Sequence, residues 1–215
     1  MYTPPAFRQD DPAAIAAFLD AHPFATLVTV GEGGLSATPL PLLRTADGGP
    51  HGTLIGHLAR ANPQWRNFDA AMPALAIFAG PHAYITPSWY PSKAETGRVV
   101  PTWNYIAVHC HGRLELVDDA AGKLDIVTRL TSRHEAGRSA PWSVTDAPAD
   151  YIAAQLKGIV GIRLVVDRVE AKWKLSQNRR ADDRAGVREG LLTDGNPGDR
   201  AVAEAMMDSL EPRQC

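Results

Sequence analysis

Apolar and polar side chains alternate along residues 102–117, near the middle of the chain. Such a period of two predicts a long β-strand with one buried face. The predicted buried face carries Ile106, Val108, Cys110, Leu114 and Leu116. The opposite face carries Trp103, Tyr105, His109, His111, Arg113 and Glu115. This second face either simply meets water, as one face of an antiparallel sheet can, or forms a surface for a planar ligand. We favour the ligand surface, because exposed faces seldom carry so many aromatic and imidazole groups.

Five further segments are rich in apolar and β-branched residues and predict strands. They cover residues 24–30, 35–43, 52–58, 75–79 and 161–175. Turns are predicted at the glycine-rich residues 31–34 and at TADGG, residues 45–49. Pro39 and Pro41 cannot donate to a strand ladder, so the second strand is expected at a sheet edge or at a bulge.

Helices are predicted where a capping residue precedes an amphipathic run. The predicted capping positions are Asp11, Asn62, the pair Asp118/Asp119, and Asn196. Three of the four precede a proline, which suits the first turn of a helix. A further short helix is predicted over residues 151–156. The polar and charged residues 176–190 are expected to be largely irregular.

The sum is an α+β fold, mainly β, with five or six antiparallel strands and flanking helices. Short turns between successive strands favour a barrel of Greek-key type. No repeat, low-complexity tract or linker divides the chain. Residues 1–215 are therefore predicted to form a single domain, with residues 195–215 as a C-terminal helix.

The amino-acid composition limits the kinds of partner that the protein is expected to bind. The formal net charge is −2 and the pI is about 6.4, so no broad positive field would attract nucleic acid or an anionic membrane. Cys110 and Cys215 form neither a disulfide framework nor a metal-binding spacing, as expected in a reducing compartment. The first residues do not resemble a signal peptide, and no apolar run approaches the about 18 residues of a membrane span. We expect a cytoplasmic protein with no membrane partner.

Two segments could bind an anion. Residues 57–65, HLARANPQW, place Arg60 beside a predicted helix start, where backbone N–H groups and a cation suit a phosphate. Residues 172–180, KWKLSQNRR, put two lysines and a serine on one strand face, followed by Gln, Asn and two arginines. A structural role is also open for each segment, as an ordinary capped helix and as a solvated strand end.

The sequence gives little support for a metal site, for nucleophilic catalysis, for dinucleotide binding or for DNA reading. His109 and His111 form an H-x-H pair, but no third ligand stands at a suitable spacing, so no metal site is predicted. The chain has no G-x-S-x-G motif, and residues 31–34 do not match G-x-G-x-x-G. No helix-turn-helix pattern is present. No catalytic residue is assigned.

Three stretches together resemble the PaiB family of FMN-binding negative transcriptional regulators. They read GTLIGHLARANPQW, then YITPSWY through VPTWNYIAVHCHG, then GIVGIRLVVDRVEAKWKLSQNR. This family is similar to the FMN-binding split barrels, which include pyridoxamine-phosphate oxidase. The resemblance implies a six-stranded antiparallel Greek-key split barrel, a homodimer, and one FMN per subunit in a groove between subunits.

The resemblance also implies which residues bind the cofactor. At the end of the third strand these are His57, Leu58, Ala59, Arg60 and Asn62. Beside the isoalloxazine ring they are Pro39 and Leu40, and on the aromatic strand they are Trp103, Asn104 and Tyr105. The partner subunit is expected to contribute Lys174, Ser176 and Gln177. The second strand reads ATPLPLLR where split-barrel oxidases are rich in Arg and Lys, so the oxidase's substrate chemistry is not carried over.

The resemblance implies a regulatory flavoprotein. The near-neutral charge argues against direct DNA binding, so regulation is expected to work through a protein partner or a small molecule. An FMN-dependent oxidoreductase acting on a small molecule is the alternative, since the barrel supports such chemistry elsewhere. A haem-binding split barrel is a third interpretation, in which His109 or His111 would be the axial ligand.

Overall fold

The computed structural model describes residues 1–193 and 196–208. These ranges contain seven strands: β1 (Phe24–Gly31), β2 (Gly34–Pro41), β3 (Leu43–Gly49), β4 (Gly52–Ala59), β5 (Ala74–Ile85), β6 (Thr102–Val117) and β7 (Ile159–Lys174). They also contain seven α-helices: α1 (Pro12–Ala21), α2 (Gln64–Asn67), α3 (Ser92–Thr96), α4 (Ala120–Glu135), α5 (Ala149–Lys157), α6 (Ala181–Thr193) and α7 (Pro197–Asp208). None of the helices in these ranges is long and apolar enough to cross a membrane.

The predicted C-terminal helix is present as α7, which begins at Pro197 next to the predicted cap. The prediction extends this helix over residues 195–215. Residues 194, 195 and 209–215, with Cys215, lie outside the described residues.

The strands form one sheet in the order β2-β1-β5-β6-β7-β4-β3. The pairs β1–β2, β1–β5, β3–β4 and β4–β7 are antiparallel. β2 stands at one end of this order, and its Pro39 and Pro41 lie opposite Thr26 and Phe24 of β1. The edge position predicted for the proline-containing strand is confirmed, because an edge strand needs backbone donors on one side only.

The seventh strand corrects the six-strand prediction. The sequence predicts one strand over residues 35–43 and a turn over residues 45–49. In the structure the strand breaks at Leu42, and β3 runs through the predicted turn to form a hairpin with β4. Gly48 and Gly52 have φ values of 103° and 80°, which only glycine adopts without strain. These glycines therefore belong to an irregular hairpin that the turn signal does not distinguish from a simple loop.

β6 has the alternation that the sequence predicts. Its even-numbered residues from Asn104 to Leu114 are buried, and its odd-numbered residues keep partial or full exposure. Leu116 is the exception on the predicted buried face, with 40% of its surface exposed. At Gly112 a Cβ would lie 2.0 Å from the carbonyl oxygen of Val165. Glycine is therefore needed where the backbones of β6 and β7 approach each other.

The chain comprises two compact units, and each is described by itself. The first unit contains residues 1–15 and 79–108 and the described residues from 170 onward. The second unit contains residues 16–78 and 109–169. The prediction of a single domain over residues 1–215 stays a prediction.

In the second unit, α4 packs on β4. Asp119 caps α4 as the sequence predicts, because its side chain accepts a hydrogen bond of 2.8 Å from the N–H of Gly122. The helix then turns an apolar face to the strand. The resulting cluster consists of Ile55, Ile126 and Leu130, with Leu43 and Val117 packed against it.

In the first unit, α6 replaces the irregular segment predicted for residues 176–190. The buried carboxylate of Asp183 accepts hydrogen bonds from the backbone N–H (3.1 Å) and the hydroxyl (2.8 Å) of Ser92. At Gly190 a Cβ would lie 2.4 Å from the Trp89 ring, so the indole packs directly on the helix backbone. These contacts join residues about 90 to 100 positions apart, and for that reason the local composition does not reveal the helix.

Candidate functional site

Three cations lie together in the first unit, at the end of β7 and in the turn that follows it. Lys172, Lys174 and Arg179 are called here the cationic cluster. Lys172 is only 7% exposed. Its Nζ donates a hydrogen bond to the carbonyl oxygen of Tyr2 (3.1 Å) and lies 5.2 Å from the centroid of the Tyr105 ring. The Tyr2 ring lies 5.7 Å from the same nitrogen, so the buried ammonium group is held by one carbonyl and two aromatic rings.

The other two cations are held by neutral groups as well. Lys174 Nζ donates to the hydroxyl of Thr102 at 2.7 Å and to the carbonyl oxygen of Trp103. The guanidinium carbon of Arg179 lies 4.9 Å from the centroid of the Tyr90 ring. Hydroxyl, carbonyl and ring contacts orient these cations without cancelling their charge.

The cations of the cationic cluster act on one another. Burial lowers the pKa of Lys174, and the charges of Lys172 and Arg179 lower it further. Among the residues that the structure describes, none of the three cations has a carboxylate within ion-pair distance. Like charges held together in this way favour the binding of an anion, which would relieve their repulsion.

An exposed group of rings lies on β5 and β6 of the same unit. His82, Tyr84 and Trp103 form this aromatic patch. Trp103 and Tyr84 are 52% and 48% exposed, and their rings meet edge to face with centroids 6.0 Å apart. The His82 ring lies 6.0 Å from that of Trp103. Because the Trp103 carbonyl accepts a hydrogen bond from Lys174, the aromatic patch and the cationic cluster are directly joined.

Asn104 lies on the buried side of β6, and its side chain meets that of Ser176, a buried residue in the turn after β7. The two side chains exchange hydrogen bonds of 3.0 and 3.1 Å, and the Asn104 amide nitrogen also lies 3.8 Å from the sulfur of Met206. Successive residues of a strand point to opposite faces, so Asn104 does not share the accessible face of Trp103 and Tyr105. The predicted cofactor contacts of Asn104 and Ser176 stay predictions.

Gln177 holds the turn after β7. Its side-chain oxygen accepts from the N–H of Leu175 (2.8 Å), and its side-chain nitrogen donates to the carbonyl oxygen of Trp173 (2.6 Å). Ser176, next to it, has a φ of 65°, which is uncommon for a residue other than glycine. The amide of Gln177 and the Ser176 hydroxyl thus fix the backbone that follows Lys174.

The end of β4, in the second unit, carries several of the predicted cofactor contacts. Leu58 and Leu40 are buried core residues, whereas Ala59 and Pro39 are exposed. His57 is half-buried, and its buried Nδ1 has no hydrogen-bonding partner. Burial lowers the pKa of His57, so the imidazole is neutral at pH 7. An unpartnered ring nitrogen can bond to any ligand that reaches it.

Arg60 is already fully engaged. Its terminal nitrogens contact the carboxylate of Asp118, and it also donates to the carbonyl oxygens of Lys157 (2.9 Å) and Ile159 (3.0 Å). Asp118 accepts a further hydrogen bond from Lys123 at 3.2 Å. Arg60 and then Lys123 lower the pKa of Asp118 to about 2. A phosphate would have to compete with Asp118 for Arg60, and the phosphate role of Arg60 stays a prediction.

Asn62 and Gln64 join α2 to the neighbouring strands. The Asn62 side chain accepts from the N–H of Gln64 (3.0 Å) and donates to the Thr38 hydroxyl (2.9 Å). The buried Gln64 amide donates to the carbonyl oxygen of Leu27 (3.2 Å) and to the Thr29 hydroxyl (3.0 Å). α2 is one turn of four residues, which is short for the helix-terminus anion site that the sequence suggests.

Comparison with known proteins assigns the chain to a family. Residues 1–168 match the family described as "Putative FMN-binding domain". The chain belongs to this FMN-binding-domain family. It is 38% identical over 214 residues to the "Protease synthase and sporulation protein PAI 2" of Bacillus subtilis, covering 98% of this chain and 99% of that protein. An uncharacterized protein of Emericella nidulans is 32% identical over 194 residues, covering 78% of this chain and 77% of that protein. The predicted resemblance to the PaiB family is confirmed.

Two solved structures share the fold of this FMN-binding-domain chain. An FAD and haem binding protein from Mycobacterium smegmatis superposes with a TM-score of 0.56 and 22% identity, over 83% of this chain and 78% of that one. The flavocytochrome Anf3 from Azotobacter vinelandii superposes with a TM-score of 0.58 and 16% identity, over 83% and 75%. At these identities the likeness concerns the fold alone.

The sequence points to the cationic cluster but to only part of the aromatic patch. The candidate anion segment over residues 172–180 contains Lys172, Lys174 and Arg179. Lys172 and Lys174 are two residues apart on one strand and therefore share a face, which is the signal that predicts them together. In the aromatic patch the sequence nominates Trp103 but not His82 or Tyr84.

Replacing Asn104 by alanine should destabilise the protein. The change leaves the buried Ser176 hydroxyl without its partner, and an unsatisfied buried polar group costs about 1–3 kcal/mol. Urea unfolding of Asn104→Ala should show a loss of that size in the free energy of unfolding. Ser176→Ala, which removes the other partner, is the matched variant. A loss below about 0.5 kcal/mol in both, within the range of ordinary surface changes, would contradict a structural role for this pair.

Proposed function

We propose that this protein is an FMN-binding flavoprotein and that its cationic cluster holds the phosphate of FMN. The observation that carries the proposal is the grouping of Lys172, Lys174 and Arg179 without a carboxylate partner among the described residues. A phosphate monoester carries a charge of about −1.5 to −2 at pH 7. Lysine offers it a point charge and arginine a planar pair of donors. Membership of the FMN-binding-domain family supports the same ligand.

The aromatic patch offers a surface for the planar isoalloxazine ring. Trp103 and Tyr84 expose about half of their surface, and ring contacts are worth about 0.5–1.5 kcal/mol beyond burial. Bound FMN would supply one- and two-electron transfer. The protein's own part is to fix the phosphate, orient the ring and shield one face of it from water. Lys174 contributes both to phosphate binding and to the position of the ring surface, because it belongs to the cationic cluster and hydrogen-bonds to Trp103.

The proposal includes a homodimer. Tyr84, Trp103 and Val100 are large exposed apolar side chains of the first unit, and an isologous partner would cover such a surface. The family resemblance implies that Lys174, Ser176 and Gln177 act on the flavin of the other subunit, so the cationic cluster and the aromatic patch of one subunit would together face that flavin. The predicted site is therefore complete only in the dimer.

The proposed role is regulatory and works through a protein partner or a small molecule. A net charge of −2 gives little of the phosphate neutralisation that DNA binding requires. The Bacillus subtilis relative is named for protease synthesis and sporulation, which supports regulation as the role to test first. Sustained oxidation of a reduced nicotinamide by the FMN-loaded protein would instead support an oxidoreductase.

Replacing Lys174 by methionine should weaken FMN binding far more than riboflavin binding. The two ligands share the ring, and only FMN carries the phosphate. Loss of one charge-assisted hydrogen bond corresponds to roughly tenfold or more in affinity. Titration calorimetry with both ligands should show this loss for FMN and little change for riboflavin.

Lys93→Met is the matched control for Lys174→Met, because Lys93 is exposed and lies outside the cationic cluster. Equal weakening of FMN and riboflavin by Lys174→Met would overturn the phosphate assignment. The same titration tests Arg60. If Arg60 also binds phosphate, Arg60→Ala weakens FMN, whereas Asp118→Ala frees Arg60 and tightens FMN.

Replacing Trp103 by leucine should weaken flavin binding without unfolding the protein. Leucine keeps apolar bulk but removes the indole, so affinity for both FMN and riboflavin should fall a few-fold to about tenfold. The fluorescence of bound FMN, quenched by a nearby indole, should rise. Ile106→Ala, on the buried face, should instead lower stability by about 2–5 kcal/mol. Unfolding by Trp103→Leu with an intact Ile106→Ala would show that the two faces are assigned the wrong way round.

A further inference from the structure

A pocket whose lining differs in chemistry from the cationic cluster lies within the second unit. It is bounded by the start of α4, by residues 144–147 and by α5, and has a volume of about 740 Å³. That volume falls in the usual range of about 300–1,000 Å³ for small-molecule sites. Five of its lining residues are alanines, among them Ala149 and Ala153 on α5. Their small side chains leave the space open.

The pocket wall combines hydrocarbon with positive charge. Besides the alanines it presents Leu124, Val144, Ile152 and Leu156. The only charged residues among those that line it are Lys123 and Lys157, and no acidic residue of the described chain is among them. An apolar wall with two cations and no anion is complementary to a molecule with an apolar body and a negative end.

The two lysines differ in their present partners. Lys123 is 6% exposed, and its Nζ donates to Asp118 at 3.2 Å. Lys157 is exposed, and its Nζ has neither a hydrogen bond nor an ion pair with the described residues. Lys157 can therefore bind a ligand carboxylate directly. Lys123 can bind one only if it shares or breaks its hydrogen bond with Asp118.

We propose that this pocket binds an apolar carboxylic acid. The hydrocarbon part lies against the alanine-rich wall formed by α4 and α5, and the carboxylate is held by Lys157 and Lys123. Asp118 competes with the ligand for Lys123. The proposal does not depend on the binding of a flavin, and it supplies a candidate site for a small-molecule signal.

Octanoate tests the proposal, with octan-1-ol as the uncharged ligand of similar length. Each ligand is titrated by calorimetry into the purified protein. The flavin content of the protein is recorded, but the comparison of octanoate with octan-1-ol does not depend on it. Octanoate is expected to bind about threefold or more tighter than octan-1-ol, because an exposed ion pair contributes up to about fivefold in affinity. Failure of the FMN proposal would leave this measurement unaffected.

Four variants locate the octanoate. Ala153→Trp fills the pocket and should abolish binding, whereas Ala154→Trp, on the exposed surface of α5 outside the pocket, should leave it unchanged. Lys157→Ala should raise Kd about two- to fivefold. Asp118→Asn should lower Kd, because Lys123 loses its competitor. Circular dichroism confirms that each variant is folded.

Several outcomes would overturn the proposal. Equal octanoate affinity of Ala153→Trp and the unaltered protein would mean that octanoate binds elsewhere. Equal affinity for octan-1-ol and octanoate would mean that no carboxylate is recognised. Absence of octanoate binding, together with a change in sedimentation for Ala153→Trp but not for Ala154→Trp, would identify the pocket as a contact between copies of the chain.

Discussion

The alternation of side chains along β6 is the constraint on which the candidate site depends. Burial of the even-numbered residues from Asn104 to Leu114 fixes the register of the strand, because a slip of one residue would turn every side chain to the other face. Each large apolar side chain kept from water contributes about 1.5–3 kcal/mol. Trp103 and Tyr105 are therefore held on the accessible face, and Asn104 is held inside.

Once the faces of the strands are fixed, the charges of the side chains determine which ligands the site can bind. Lys172 and Lys174 are forced onto one face of β7, and the turn adds Arg179. Burial lowers the pKa of Lys174, and the charges of Lys172 and Arg179 lower it further; a bound anion would offset the repulsion among the three cations. Arg60 is in the opposite situation, since Asp118 already balances its charge. The cationic cluster, whose cations form no ion pair with the described residues, is therefore a better candidate for the phosphate site than Arg60.

Features encoded by neighbouring residues could be predicted, and features that depend on distant contacts could not. The period of β6, the Asp119 cap of α4 and the proline-containing edge strand are local signals, and the structure contains all three. α6 depends on the contact of Asp183 with Ser92, 91 positions earlier. β3 is missed for a local reason, because the glycines of its irregular hairpin with β4 give the same signal as a simple turn. Within the site, Lys174 and Trp103 belong to recognisable motifs. The pairing of Arg60 with Asp118 spans 58 positions, and neither segment contains a local pattern that predicts it.

The most direct test of the central claim is the affinity of the purified protein for FMN and for riboflavin as a function of pH. Near neutral pH the account predicts a yellow protein with a flavin spectrum that binds FMN about tenfold or more tighter than riboflavin. Lys174 binds phosphate only when protonated, and burial and its cationic neighbours lower its pKa. The preference for FMN should therefore shrink as the pH rises towards 10.5, the ordinary pKa of lysine. Equal affinities at every pH, or a Soret band in place of a flavin spectrum, would contradict the account.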